Sequence, residues 1–97
     1  MAELMESVAL PVTAIRAAAA RHGAVRVRLF GSFARGEQTP ASDLDLLVDL
    51  APGADILDLV AIKQDVEDLT GRRVDAVTER SLSPYLRESV LKEARDL

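Results

Sequence analysis

Residues 31–50 read GSFARGEQTPASDLDLLVDL, and the order of events in this stretch decides the fold. Gly31-Ser32 is followed, ten residues later, by Asp43-Leu44-Asp45. Just upstream, Val25 to Phe30 alternates apolar with basic side chains, which predicts a strand. Gly31 to Gly36 predicts a turn into a short helix, and Asp43 to Leu50 a second strand. Side chains alternate between the two faces of a strand. Leu44, Leu46, Val48 and Leu50 therefore share one face, and Asp43, Asp45, Leu47 and Asp49 the other. Two carboxylates two residues apart on one face lie about 6–7 Å apart at the Cα. Both can then reach one Mg²⁺, or a pair of them.

Working outward, the Ala-rich segment 11–22 carries Val12, Ile15 and Ala19 at helical spacing and stops at Gly23, a normal residue just past a helix. Ala51-Pro52-Gly53 breaks the second strand. Between Asp55 and Thr70, Ile56, Leu59, Ile62, Val66 and Leu69 recur every three or four residues, which predicts a helix with one apolar stripe closed by Gly71. Arg72 to Thr78 predicts a third strand, with Val74 and Ala76 on one face and Arg73, Asp75 and Val77 on the other. Ser83-Pro84 opens a last helix that runs toward Arg95. Helices alternating with strands predict a mixed α/β (α+β) fold, with a three- or four-stranded sheet covered by helices. No repeat, linker or low-complexity tail divides the chain, so residues 1–97 are expected to form a single domain.

Composition bounds the function. The 97 residues are 48% hydrophobic and 29% charged, the profile of an ordinary globular domain. Much of the apolar content is alanine, so the core is expected to rest on Leu, Val and Ile. With no cysteine there are no disulfides and no thiolate metal sites, which fits a cytoplasmic location. A net charge of −4 argues against nucleic acid as the main partner, although Arg26, Arg28, Arg35, Arg72 and Arg73 could form a local basic patch. No apolar run approaches the roughly 20 residues of a membrane span. The first residues lack the basic start and apolar block of a secretory leader.

The stretch GSFARGEQTPASDLDLLVDL resembles the active-site signature of the DNA polymerase β-like nucleotidyltransferases. Within them the chain is most similar to the minimal nucleotidyltransferase antitoxins, single domains of about this size. A strand, a Gly-Ser turn, a fixed gap and a same-face carboxylate pair must all occur in order, which makes the composite far more specific than a lone Gly-rich loop. The resemblance implies a palm-like topology and an ATP substrate.

Nucleotidyl transfer needs Mg²⁺, and Mg²⁺ is usually held by one or two carboxylates plus substrate phosphates. Asp43 and Asp45 are the expected ligands. The family's third aspartate, beside the metals and helping to activate the attacking hydroxyl, corresponds to Asp75. Asp49, about 13 Å along the strand from Asp45, is peripheral. Gly31 lets backbone N–H groups approach phosphate oxygens, Ser32 adds a hydroxyl, and Arg35 can grip a phosphate or a motif carboxylate. Ala34-Arg35-Gly36 matches the family's usual continuation. Taken singly, each element has a plainer reading: a common turn for Gly31-Ser32, a solvated strand edge for Asp43-Leu44-Asp45, a decorated sheet face for Asp75. Arg26 and Arg28 are expected to coat a solvated or partner-covered face, and His22 to cap a helix.

The resemblance implies an antitoxin paired with a HEPN-domain ribonuclease toxin, which transfers AMP from ATP to a tyrosine of that toxin within a hetero-oligomer. A charged adduct near a ribonuclease site would repel RNA. Two alternatives stay open: an idle antitoxin that inhibits by stoichiometric binding, and a nucleotidyltransferase subunit for a small-molecule or RNA acceptor. Leu82, Tyr85, Leu86 and the N-terminal helix are the candidate partner surface.

Overall fold

The structure is a computed structural model that describes residues 10–97; the leader-peptide reading falls largely on residues 1–9, outside the described residues. The elements are α1 (Val12–Arg21), β1 (Ala24–Phe30), α2 (Ser32–Arg35), β2 (Leu44–Leu50), α3 (Ile56–Thr70), β3 (Val74–Val77), a 3₁₀ turn (Glu79–Ser81), α4 (Pro84–Glu93) and β4 (Arg95–Asp96). The four strands form one sheet in the order β3-β2-β1-β4. β2 runs antiparallel to β1 and parallel to β3, and β4 runs antiparallel to β1. The parallel pair needs a crossover, and α3 supplies it.

One face of the sheet is the core. Leu44, Leu46 and Val48 of β2 and Val74 of β3 pack with Ile15 and Ala19 of α1, Ile62 and Val66 of α3, and Phe33 of α2. Aliphatic side chains dominate it, as the scarcity of aromatics requires. The α3 stripe is only partly used: Ile62 and Val66 are fully buried, whereas Ile56 and Leu69 at its two ends are exposed. The start of α3 is fixed by Asp55, whose side chain accepts from the backbone N–H groups of Leu57 and Asp58 while Asp58 accepts from the Asp55 N–H. Such a reciprocal cap satisfies two donors that the first turn leaves free. Gly23 ends α1 at φ +86°, and a Cβ there would come within 2.9 Å of the Ala54 Cβ. Its carbonyl accepts from the Ala51 N–H at 2.8 Å, which fastens the end of α1 to the turn after β2.

The opposite face carries the charges. Cross-strand neighbours share a face, so the register sets Phe30 beside Asp45, Arg28 beside Leu47 and Arg26 beside Asp49. This face is not uniformly wet. Leu47 is fully buried, and Arg28 beside it is only 9% exposed, so of the two arginines expected to coat a solvated or partner-covered face, Arg28 is covered within the fold itself. The long aliphatic stem of an arginine readily covers an apolar neighbour while its head finds an anion. The Arg28 head reaches Asp49 at 3.4 Å. Arg26 lies in solvent and grips Asp96 through two bonds of 2.8 and 3.0 Å.

That bidentate pair belongs to the fourth strand. The last helix was expected to run on toward Arg95, but it ends at Glu93, and Ala94 turns extended at ψ 137°. Arg95 and Asp96 then pair with Leu29 and Arg28 on the free edge of β1. Pairing satisfies an edge that would otherwise stay open, and helix propensity yields to it. α4 itself is thinly attached: Val90 is its one buried residue, and Tyr85 is 94% exposed.

Ile62→Ala removes a fully buried side chain from the centre of the core and should cost about 2–5 kcal/mol. Urea unfolding should show a lower midpoint with an unchanged slope.

Candidate active site

The site begins where β1 ends. Gly31 adopts φ +72°, and a Cβ built on it would collide with the Asp45 carboxylate. Only glycine satisfies both conditions, since the left-handed region penalises any side chain and the carboxylate leaves no room for one. The chain then enters α2, whose first residue is Ser32. Gly36 closes this turn in the left-handed conformation, and the Glu37 N–H donates to the Ser32 carbonyl at 2.9 Å.

Asp45 and Asp75 are direct register partners across the parallel pair β2/β3 and so project from the same face. Asp43 stands one residue before β2 rather than inside it, and is exposed. The strand begins at Leu44, whose N–H donates to the Arg73 carbonyl at 2.9 Å. Asp75 and Asp43 both act on Asp45 through space. Burial, then the charges of Asp75 and Asp43, push the Asp45 carboxyl up to about 6, with a further push from Glu93 and an opposing pull from Arg35. Burial disfavours the ionised form, and like charges do the same.

Glu93, in the last turn of α4, was absent from the expected set. Its carboxylate accepts from the Gly31 N–H at 2.7 Å and from the Arg35 guanidinium at 3.1 and 3.3 Å. Arg35 also donates to Glu37 at 2.9 Å, and the two carboxylates, Glu37 foremost, hold the guanidinium more firmly in its charged form. No signal in the sequence marks Glu93, because it lies 62 residues from its Gly31 partner in a segment with no motif. Arg72 is a second unpredicted contributor. Its guanidinium lies 5.0 Å from the Phe33 ring centroid and donates to the Thr39 carbonyl at 3.3 Å. It thereby steadies the loop that delivers Asp43. Of the five arginines named as a possible patch, Arg26, Arg28 and Arg35 face carboxylates, and Arg72 faces a ring and carbonyls.

The donors suit a hard divalent cation: all are carboxylate oxygens, and their mutual repulsion, visible at Asp45, is a charge excess that a cation would relieve. Among the described residues no three His, Cys, Asp or Glu side chains form a group that could hold a metal ion. Mg²⁺ does not require three, because it commonly takes one or two protein carboxylates and completes its shell with phosphates and water.

Residues 13–97 match the nucleotidyltransferase domain. The chain belongs to the nucleotidyltransferase family. A Methanocaldococcus jannaschii protein provisionally named a protein adenylyltransferase is 43% identical over 77 residues, covering 79% of this chain and 83% of its own. Protein adenylyltransferase MntA of Thermococcus cleftensis is 37% identical over 73 residues, covering 75% of this chain and 74% of its own. Among solved structures, one provisionally described as a minimal nucleotidyltransferase superimposes with a TM-score of 0.83 at 52% identity, over 96% of this chain and 95% of its own. A toxin–antitoxin crystallised with AMP-PNP superimposes at 0.76 with 26% identity, over 90% of this chain and 72% of its own. The expected class of enzyme and the mixed, helix-covered sheet are thus borne out for this nucleotidyltransferase domain.

The raised Asp45 carboxyl has a definite consequence for stability. The folded protein holds this proton more tightly than the unfolded chain does. Stability from this group is therefore greatest below pH 3.8, declines as the pH rises toward 6, and levels off above it. In metal-free buffer Asp45→Asn should raise Tm relative to the parent at pH 7–8, and the gap should close toward pH 4. A variant that melts lower than the parent at pH 8 would contradict this account of the site.

Proposed function

We propose that this nucleotidyltransferase is a protein adenylyltransferase antitoxin, which transfers AMP from ATP to a tyrosine hydroxyl of a HEPN-domain toxin. The observation that carries the reading is the in-register pair Asp45–Asp75 pressed against a glycine turn, with Asp43 and Arg35 close by. The names of the relatives, protein adenylyltransferase and toxin–antitoxin with AMP-PNP, support the same direction.

Each residue has a task. Gly31 offers its N–H to a phosphate oxygen, Ser32 adds a hydroxyl donor, and Arg35 supplies a charged fork for the triphosphate. Asp45, with Asp43 or Asp75 beside it, would hold Mg²⁺, which when bound neutralises phosphate charge at the reacting centre. The acceptor hydroxyl oxygen forms its bond to the α-phosphorus while the bond from that phosphorus to the bridging oxygen breaks, and pyrophosphate leaves. Asp75, exposed beside Asp45, would accept the hydroxyl proton. Holding both reactants in line supplies much of the acceleration in such transfers.

The acceptor comes from outside. Among the described residues Asp43 and Asp75 are exposed, and α4 leaves Tyr85 and Leu86 in solvent. A protein partner docked there would bring its own tyrosine to the site.

Incubation with Mg²⁺, ATP labelled at the α-phosphate and the product of the neighbouring gene tests the reading. Label should appear on the partner and fall at least a hundredfold with Asp43→Asn or Asp45→Asn, the order expected when an essential charged group is lost. Neutralisation of the toxin that survives both substitutions, with no label transferred, would establish inhibition by stoichiometric binding instead.

A further inference from the structure

The Glu93 carboxylate occupies the donors that the proposed function assigns to phosphate. It accepts from the Gly31 N–H at 2.7 Å and spans the Arg35 guanidinium at 3.1 and 3.3 Å. A carboxylate and a phosphate recognise the same fork and the same backbone donor, so both cannot be satisfied at once. We propose that Glu93 is an internal stand-in for the triphosphate, a latch that holds the turn closed and must swing out before a nucleotide binds. This inference rests on the nucleotide-binding reading of the site.

Two observations carry it. The first is the shared set of donors. The second is mechanical. Glu93 is partly exposed, at 27% of its side chain, so a rotamer change can move it into solvent. The helix that carries it is held by one buried residue, Val90, and by the short β4 strand beyond it. The backbone can therefore stay docked on β1 while the side chain departs.

Occupied by Glu93, the turn is preorganised but closed. Apparent nucleotide affinity is then reduced by the fraction of molecules in which the latch is open. A latch closed in about nine molecules of ten weakens binding about tenfold.

Calorimetric titration of Mg·AMP-PNP into the parent, Glu93→Ala and Glu93→Gln tests the inference, with thermal melts run alongside. Glu93→Gln keeps the shape and removes the charge, so it remains informative if the alanine variant folds poorly. Both variants should bind the analogue about tenfold more tightly than the parent, while their affinity for adenosine, which has no phosphate, stays unchanged. Glu37→Ala frees Arg35 on its other side without touching Gly31, and should not reproduce the gain. Equal or weaker binding by the Glu93 variants, with the parent binding normally, would overturn the latch and leave the proposed function standing. Binding by none of the proteins would overturn the proposed function and the latch with it.

Discussion

Burial of the Asp45 carboxylate, among carboxylates that the sheet brings beside it, is the constraint on which the rest of this structure turns. Parallel pairing of β2 with β3 sets Asp45 directly beside Asp75, and the loop before β2 brings Asp43 close to them. The fold does not relieve the crowding. It intensifies it by pressing the Gly31 backbone against Asp45 and by half-burying that carboxylate. A folded protein tolerates such a cost where function requires it, and a cation is the natural remedy. The hydrophobic face opposite supplies the stability against which this cost is set. Leu44, Leu46 and Val48 anchor the same strand that carries the charge.

This division of labour lets one strand serve both the core and the site. One strand, β2, has an apolar face that makes the core with α1 and α3, and a polar face that makes the site. Alternation along a single strand couples the two, so a slip of one residue would lose both together. The remaining parts are adjustments around that strand. Gly31 lets the chain turn tightly beside Asp45, Arg72 steadies the loop that brings Asp43, and Arg35 with Glu93 balances charge at the rim.

The sequence made the centre of this arrangement legible because local rules govern it. A period of two assigns Asp45 and Leu46 to opposite faces, and the glycine at position 31 signals a turn no other residue could make. The crossover helix was readable for the same reason, although its end residues Ile56 and Leu69 lie beyond the sheet and stay exposed. What stayed hidden depends on pairing between distant residues. β4 is two residues long and its sequence favours helix, so only the open edge of β1 explains it. Arg28 looked like a surface charge until the register set it beside the buried Leu47. Glu93 carries no pattern, and its meaning comes from a contact with the opposite third of the chain.

On the proposed function, the Asp45 carboxyl sits in a half-buried, charge-crowded place that a divalent cation would relieve. Carbon-13 NMR titration of the aspartate carboxyl groups, without and with Mg²⁺, measures this directly. The account predicts that one carboxyl, assigned to Asp45 by its loss in Asp45→Asn, titrates near 6 without metal and moves to lower pH when Mg²⁺ is added. An Asp45 carboxyl that titrates near the ordinary value of about 3.9 and ignores Mg²⁺ would contradict it.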